Sequence, residues 1–288
     1  MALELARPCA DLSEALGEPL AGTAPEHTER TLLVPHRGPM AKEPLDSPQL
    51  ALPREWIEAA LRAVPRSRMH LFVREPGHPL ADALLVAHTS PEARVIRRFS
   101  LAEATSAEAL AELLRSPSAG EAVEGPLHLV CTHGKRDACC ARRGTALHRA
   151  LQAHAGDRVL RTSHLGGHRF APIVHSFPAG LCFGRVEIDE VARLDEAAAR
   201  GEAYDPSRLR GVFPHDGFES AALVRYLAEG GTLAGASVSR EGELVRITSP
   251  SLTRVYRVKR ESLEPRPLSC GAAPGEAFRF DVQEAEER

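Results

Sequence analysis

The stretch VCTHGKRDACCARRG, residues 130–144, contains cysteines on either side of a turn. The apolar residues that end at Cys131 predict a buried strand. A helical pattern follows over residues 138–154 and includes Cys140 in its first turn. Eight residues separate these two thiols in sequence, and the strand, turn and helix bring them to one end of a predicted β-α-β unit.

A second stretch, RTSHLGGHRFAP at residues 161–172, has two histidines in a glycine-rich loop. His164 and His168 follow a strand-like run. In a parallel β-α-β unit the loops after both strands emerge at the same edge of the sheet. We therefore expect two thiols and two imidazoles to converge. This donor set suits either tetrahedral Zn²⁺ or a [2Fe–2S] cluster with both cysteines on one iron and both histidines on the other.

The residues around these four side chains favour a buried anionic cofactor. Asp137 is predicted to cap the helix, whose first turn then directs free N–H groups and the positive end of its dipole toward the thiolates. Close backbone approach is expected at three glycines, Gly134, Gly166 and Gly167. Three cations are expected to offset negative charge: Lys135, Arg136 and Arg169.

Cys139 lies next to Cys140, and adjacent side chains on a helix point about 100° apart, so only one of them faces the cofactor. We choose Cys140, which shares its face with apolar helix residues, and predict that Cys139 is a packed thiol or a hydrogen-bond partner of the site. His133 is predicted to orient the loop or to donate to a sulfur. Three cysteines are predicted to be structural: Cys9, Cys182 and Cys270. His148 and His154 are predicted to face solvent, as is the pair Arg208 and Arg210.

The order of predicted elements repeats along the chain. Residues 1–30 are turn-rich, with one short helical pattern. The first half predicts a strand, a helix, three strands and a helix, at residues 31–35, 54–64, 69–73, 83–88, 94–99 and 107–115. After a linker at 116–125 the same order returns at residues 127–131, 138–154, 158–162, 172–177, 181–186 and 189–201. A helix at 218–229 and strands at 236–239, 244–248 and 253–260 follow, and the last 25 or so residues are expected to fray in part.

Over about residues 9–229 the chain resembles the sucrase/ferredoxin-like proteins, a family with fungal members linked to actin patches. The strongest matches are CTHGKRD at 131–137, Cys140 and SHLGGHRFAP at 163–172. Weaker support comes from GEPLAGTA at 17–24 and YDPSRLRGVFP at 204–214. The resemblance implies a thioredoxin-like [2Fe–2S] ferredoxin domain, with the cluster on Cys131, Cys140, His164 and His168.

The predicted fold is therefore α/β in three parts. Residues 121–204 form the thioredoxin-like ferredoxin domain. Residues 1–120 form a related N-terminal half, interpreted as a degenerate repeat of that domain. Residues 205–288 form a small α+β extension.

Composition excludes several functional classes. The chain has 288 residues, 36 basic and 39 acidic side chains and a net charge of −3, which argues against a nucleic-acid partner. Its N-terminal sequence lacks the pattern of a signal peptide, and its six cysteines are too sparse for a disulfide scaffold. We expect a soluble cytoplasmic protein with no membrane partner. No residue pattern supports sugar cleavage.

Electron transfer between unidentified donor and acceptor proteins is the leading functional hypothesis. The first alternative is a Cys₂His₂ zinc site that stabilises an interaction domain with no redox role. The second is a thiol oxidoreductase that uses Cys139 and Cys140. It lacks the CxxC spacing, and adjacent cysteines form only strained disulfides.

Overall fold

Two sheets flanked by α-helices make up the computed structural model, which describes residues 7–285. The strands of the larger sheet are β1 (Arg30–His36), β2 (Ser67–Val73), β3 (Ala83–Ser90), β4 (Ala93–Ser100), β5 (Glu121–Ala122), β6 (Leu127–Cys131), β7 (Val159–Thr162), β8 (Ile173–Phe177), β9 (Leu181–Gly184) and β10 (Leu209–Val212). The smaller sheet contains β11 (Ser237–Glu241), β12 (Leu244–Thr248), β13 (Thr253–Pro267) and β14 (Pro274–Glu284). The helices are α1 (Cys9–Ala15), α2 (Arg54–Ala63), α3 (Ala107–Arg115), α4 (Ala138–Ala155), α5 (Val191–Ala199) and α6 (Gly217–Ala228).

The two halves of the chain have the same strand order. In the first half the order is β2-β1-β3-β4, with β1 parallel to β2 and antiparallel to β3. In the second half it is β7-β6-β8-β9, with β6 parallel to β7 and antiparallel to β8. The equivalent strands β2 and β7 pair at Phe72 and Thr162, which joins both halves into one ten-stranded sheet. The predicted α/β class is confirmed.

Alternate residues of the large sheet pack into different cores. On one face of the first half, Leu32 and neighbouring side chains pack against α2 and α3. On one face of the second half, Val130 packs against α4 and α5. The opposite faces of both halves share one apolar cluster, which includes Leu33 from β1 and Leu129 from β6. The two halves therefore share one core, and this core also contains Cys131 and Cys140.

Helix α4 begins at the turn that follows β6. Asp137 caps it by accepting the N–H of Cys139 at 2.8 Å. The helix then passes so close to the end of β6 that a Cβ at Gly144 would overlap the backbone carbonyl of Cys131. Because the helix and the strand approach so closely, the first turn of α4 lies beside the end of β6.

We expect Gly144→Ala to destabilise the protein even though alanine is the better helix former. On propensity alone the change would stabilise the helix by about 1 kcal/mol. Because the added methyl group has no room against Cys131, we expect a net loss of about 1–3 kcal/mol in the free energy of unfolding. The measurement is the urea unfolding midpoint. The matched control is the reverse change at the exposed Ala146, where Ala146→Gly should cost about 1 kcal/mol. A gain of stability in Gly144→Ala would contradict the close contact.

Three predictions about local structure are wrong. The C-terminal tail does not fray within the described residues, because β14 pairs with β13 and alternate side chains such as Phe280 and Val282 pack on the core. Arg210 does not face solvent, because residues 209–212 form the buried strand β10, which joins the large sheet beside β9. His148 is buried because the apolar stripe of α4 is wide, and this burial lowers its pKa to about 4. Within residues 7–285 no helix has both the length and the apolar character needed to cross a membrane.

Candidate metal centre

Two thiols and an imidazole converge at one edge of the large sheet. Cys131 ends β6, Cys140 lies in the first turn of α4, and His164 lies just past β7, which pairs with β6 through Thr162 and Cys131. The Sγ atoms of Cys131 and Cys140 are each 3.8 Å from Nδ1 of His164. These three donor atoms all lie within 4.8 Å of one another. We call Cys131, Cys140, His164 and His168 the first site.

The fourth predicted donor, His168, stands beside His164, and their ring centroids are 4.8 Å apart. Its Nδ1 is buried with no hydrogen-bond partner in the described part of the chain. Its Nε2 lies 3.8 Å from a carboxylate oxygen of Asp137. Burial lowers the pKa of His168, and the Asp137 charge opposes that shift. An unpartnered ring nitrogen with a carboxylate near the other one is the arrangement of a metal-binding histidine.

The thiols and the imidazoles differ in exposure. Cys131 and Cys140 are each 1% exposed, whereas both histidines are only partly buried. A hydrogen bond from the Cys140 thiol lowers the pKa of Cys131, and His164 adds to this shift while burial opposes it. The same hydrogen bond and burial raise the pKa of Cys140. The two thiols therefore share one proton when no cation is bound.

His133 holds the loop of the first site in place. Its Nε2 donates to the carbonyl of Ala41 at 2.8 Å, and its Nδ1 accepts the backbone N–H of His164 at 3.2 Å. Accepting that bond requires a neutral ring, and burial lowers the pKa of His133 accordingly. The His133 imidazole therefore supports the predicted orienting role through the His164 backbone, and the backbone N–H of His133 also donates to the sulfur of Cys131.

Arg210 lies beneath the glycine-rich loop and was missed by the sequence analysis, which placed it on the surface. It is 2% exposed, and it donates to the carbonyl of Gly166 at 2.9 Å and to the hydroxyl and carbonyl oxygens of Thr23. Burial lowers its pKa to about 10, against the opposing effect of nearby cysteine thiolates. A Cβ at Gly167, whose φ is +75°, would overlap the Arg210 guanidinium. Gly167 and Arg210 lie in the two stretches that match the family, residues 163–172 and 204–214. This match is the sequence signal that could have pointed to their contact.

Of the three predicted compensating cations, two pair with carboxylates and the third is exposed. Lys135 is exposed and Arg136 pairs with Glu43 at the surface. Arg169 pairs at 2.8 Å with the buried carboxylate of Glu18. Arg210 is therefore the more deeply buried cation near the first site. Of the remaining predicted glycines, Gly134 is exposed in the turn before α4 and Gly166 adopts a φ of +93°.

Cys139 and Cys140 contact different partners, as expected for neighbouring residues on a helix. The Sγ of Cys139 lies 3.7 Å from Cys9 and 3.4 Å from Cys270. The Sγ of Cys140 faces His164. This divergence gives no support to a thiol oxidoreductase built on the adjacent pair.

Comparisons with known proteins give one family and one solved structure. The family model described as sucrase/ferredoxin-like matches residues 20–211. None of the curated proteins matches the chain. A solved structure of a thioredoxin-like [2Fe–2S] ferredoxin from Aquifex aeolicus is similar at 18% identity and a TM-score of 0.24, over 28% of this chain and 86% of that one.

Proposed function

The chain belongs to the sucrase/ferredoxin-like family, and from that premise we propose that it is an electron-transfer protein with a [2Fe–2S] cluster on Cys131, Cys140, His164 and His168. The observation that carries the proposal is the donor set itself. Two buried thiols and Nδ1 of His164 lie within 4.8 Å of one another, and the adjacent His168 has a buried, unpartnered Nδ1. Two thiolates and two imidazoles are the donor set of a [2Fe–2S] cluster in which cysteines bind one iron and histidines bind the other.

When bound, such a cluster takes up and releases one electron without forming a bond to a substrate. The chain's own residues set the conditions for that exchange. His133 fixes the backbone of His164, and Asp137 stands near Nε2 of His168. The two buried cysteines keep water from the sulfur side of the site, while the partly exposed imidazoles give the contact with solvent. A partner protein would therefore approach the histidine side.

A zinc site is the second candidate, and one observation favours it. The three donor atoms of Cys131, Cys140 and His164 lie close enough together to bind a single ion, which a Cys₂His₂ zinc site requires. Zinc would give a structural site with no redox role. The two candidates predict different colours, because Zn²⁺ has no visible absorption and no redox chemistry.

We expect protein purified without oxygen to contain about two irons and two acid-labile sulfides per chain, as a [2Fe–2S] cluster requires. It should absorb visible light and give an electron paramagnetic resonance signal on reduction. Iron and sulfide assays, a visible spectrum and dithionite reduction test this. Colourless protein without sulfide, in which zinc occupies the first site, would support the second candidate and contradict the proposal.

A further inference from the structure

A second group of cysteines lies on the other side of the helix that carries Cys140. Cys9 comes from α1, Cys139 from the first turn of α4, and Cys270 from the loop between β13 and β14. Their Sγ atoms form a triangle with sides of 3.7 Å (Cys9 to Cys139), 3.4 Å (Cys139 to Cys270) and 3.6 Å (Cys270 to Cys9). Cys9 and Cys270 are 261 positions apart in sequence, so only the fold brings them together.

A carboxylate completes this group. Oδ1 and Oδ2 of Asp137 each lie 3.7 Å from the Sγ of Cys9, and Oδ1 lies 3.3 Å from the Sγ of Cys270. The same oxygens accept the backbone N–H groups of Cys139 and Cys270, both at 2.8 Å. One ligand atom from each of the four residues lies within 4.8 Å of the others. We call Cys9, Asp137, Cys139 and Cys270 the second site.

We propose that the second site binds a single Zn²⁺ ion with a structural role. Tetrahedral zinc with Zn–S bonds of about 2.3 Å sets its sulfur ligands about 3.8 Å apart. The three observed Sγ separations of 3.4–3.7 Å are close to that value. A disulfide would use only two of the three sulfurs and would need them about 2.05 Å apart. Sulfurs on different irons of a cluster would stand farther apart than these.

Burial makes a cation necessary once these thiols ionise. Cys9, Cys139 and Asp137 are all buried, and Cys270 is partly buried. Thiolates at these positions would face the Asp137 carboxylate, and buried charge of one sign is costly unless a cation pairs with it. The nearest arginines on α4, Arg142 and Arg143, are already paired with Asp11. A divalent cation at the centre of the four donors would remove that cost.

The second site has an entry path. A cleft of about 280 Å³ opens beside it, lined by Pro8, Ala138, Cys139, Arg142 and Cys270 among others. A metal ion can therefore reach the sulfurs without unfolding of the chain.

Zinc here would tie three distant parts of the chain together. It would fix α1 and the β13–β14 loop to the start of α4, one residue before Cys140. The same loop is linked to the first site through Asp137, which accepts the backbone N–H of Cys270 and lies 3.8 Å from Nε2 of His168. The second site would therefore hold the β13–β14 loop near His168. This inference does not depend on which metal the first site holds.

Cobalt binding to the full chain tests this proposal separately from the first site. The background is the double variant Cys131→Ser/Cys140→Ser, in which the first site has lost both thiols. CoCl₂ is added to the reduced, metal-free protein. We expect about one Co²⁺ per chain, with the intense visible absorption of tetrahedral thiolate coordination, and displacement of that cobalt by ZnCl₂.

Two further variants in that background sharpen the test. Cys270→Ser changes a partly buried residue in a loop and should weaken cobalt affinity by about 100-fold or more, since a direct ligand is lost. Cys182→Ser removes a buried thiol that contacts neither site and should leave the affinity unchanged. Absence of thiolate–cobalt absorption in the double variant would overturn the proposal, as would unchanged affinity in Cys270→Ser.

Alkylation of the wild-type protein gives an independent measurement that does not require a variant to fold. Zinc should protect Cys270, the partly buried ligand at the cleft, from iodoacetamide, and removal of zinc by a chelator should make this thiol reactive. A disulfide between any two of the three cysteines in protein purified without oxygen, or labelling of Cys270 unaffected by zinc, would contradict the second site.

Discussion

Cys131→Ser and Cys140→Ser are each expected to leave the protein with less than about a tenth of the wild-type iron and acid-labile sulfide, and without visible absorption. Both sulfurs lie 3.8 Å from Nδ1 of His164, so each supplies one of the few donors at the first site. Serine has nearly the same size but offers a hydroxyl, and soft thiolates are what select an iron–sulfur cluster. The measurement is iron and sulfide content of protein purified without oxygen.

Two serine variants serve as controls for that result. Cys182→Ser makes the same change in the same apolar core that contains Cys131 and Cys140, away from the first site, and should keep the iron. Cys139→Ser should also keep the iron and should lose only the zinc of the second site. If Cys140→Ser retained the cluster and Cys139→Ser lost it, the second thiolate ligand would be Cys139.

His164→Cys and His168→Cys are each expected to keep a cluster but to lower its reduction potential by roughly 100 mV or more, since clusters with two histidines lie well above those with four cysteines. A thiolate replaces a neutral imidazole, so the oxidised state with its higher positive charge becomes the more stable one. Redox titration followed by visible absorption measures the shift. The exposed His154 on α4 offers a control, because His154→Gln should leave the potential unchanged. An unchanged or higher potential in both cysteine variants would contradict histidine ligation.

Histidine ligation also predicts how the potential depends on pH. Reduction adds negative charge, which strengthens proton binding at a ligating imidazole. Above the pH at which the oxidised protein loses that proton, each electron brings a proton with it, and the potential should fall by about 59 mV per pH unit. Below that pH it should be flat. A potential that stays constant between about pH 6 and 10 would contradict this coupling.

The spacing of residues predicted the strand and the helix that carry the cysteines of the first site. It could not predict contacts between residues far apart in sequence. The strand that ends at Cys131 and the helix that contains Cys140 follow from apolar patterns within about 20 residues. The roughly 100° between neighbouring helix positions separates Cys139 from Cys140. No local pattern brings Cys9 to Cys270 across 261 positions, because that contact depends on how the terminal segments pack.

The burial of Arg210 shows a second reason why the sequence did not predict every contact of the site. All four residues of β10, Leu209–Val212, are buried, so the strand has no polar and apolar alternation to reveal it. The arginine is tolerated inside because backbone and hydroxyl oxygens accept its hydrogen bonds. Such compensation depends on partners far away in sequence, including Thr23, and composition alone suggested a surface residue.

The two outer strands of the large sheet bear on self-association. Open sheet edges present unpaired backbone groups that can recruit the same edge of another molecule into fibres. Here one margin is β5, only two residues long, and the other is the four-residue β10, against which α6 packs. Neither outer strand therefore offers a long unpaired edge to which a strand of another molecule could add.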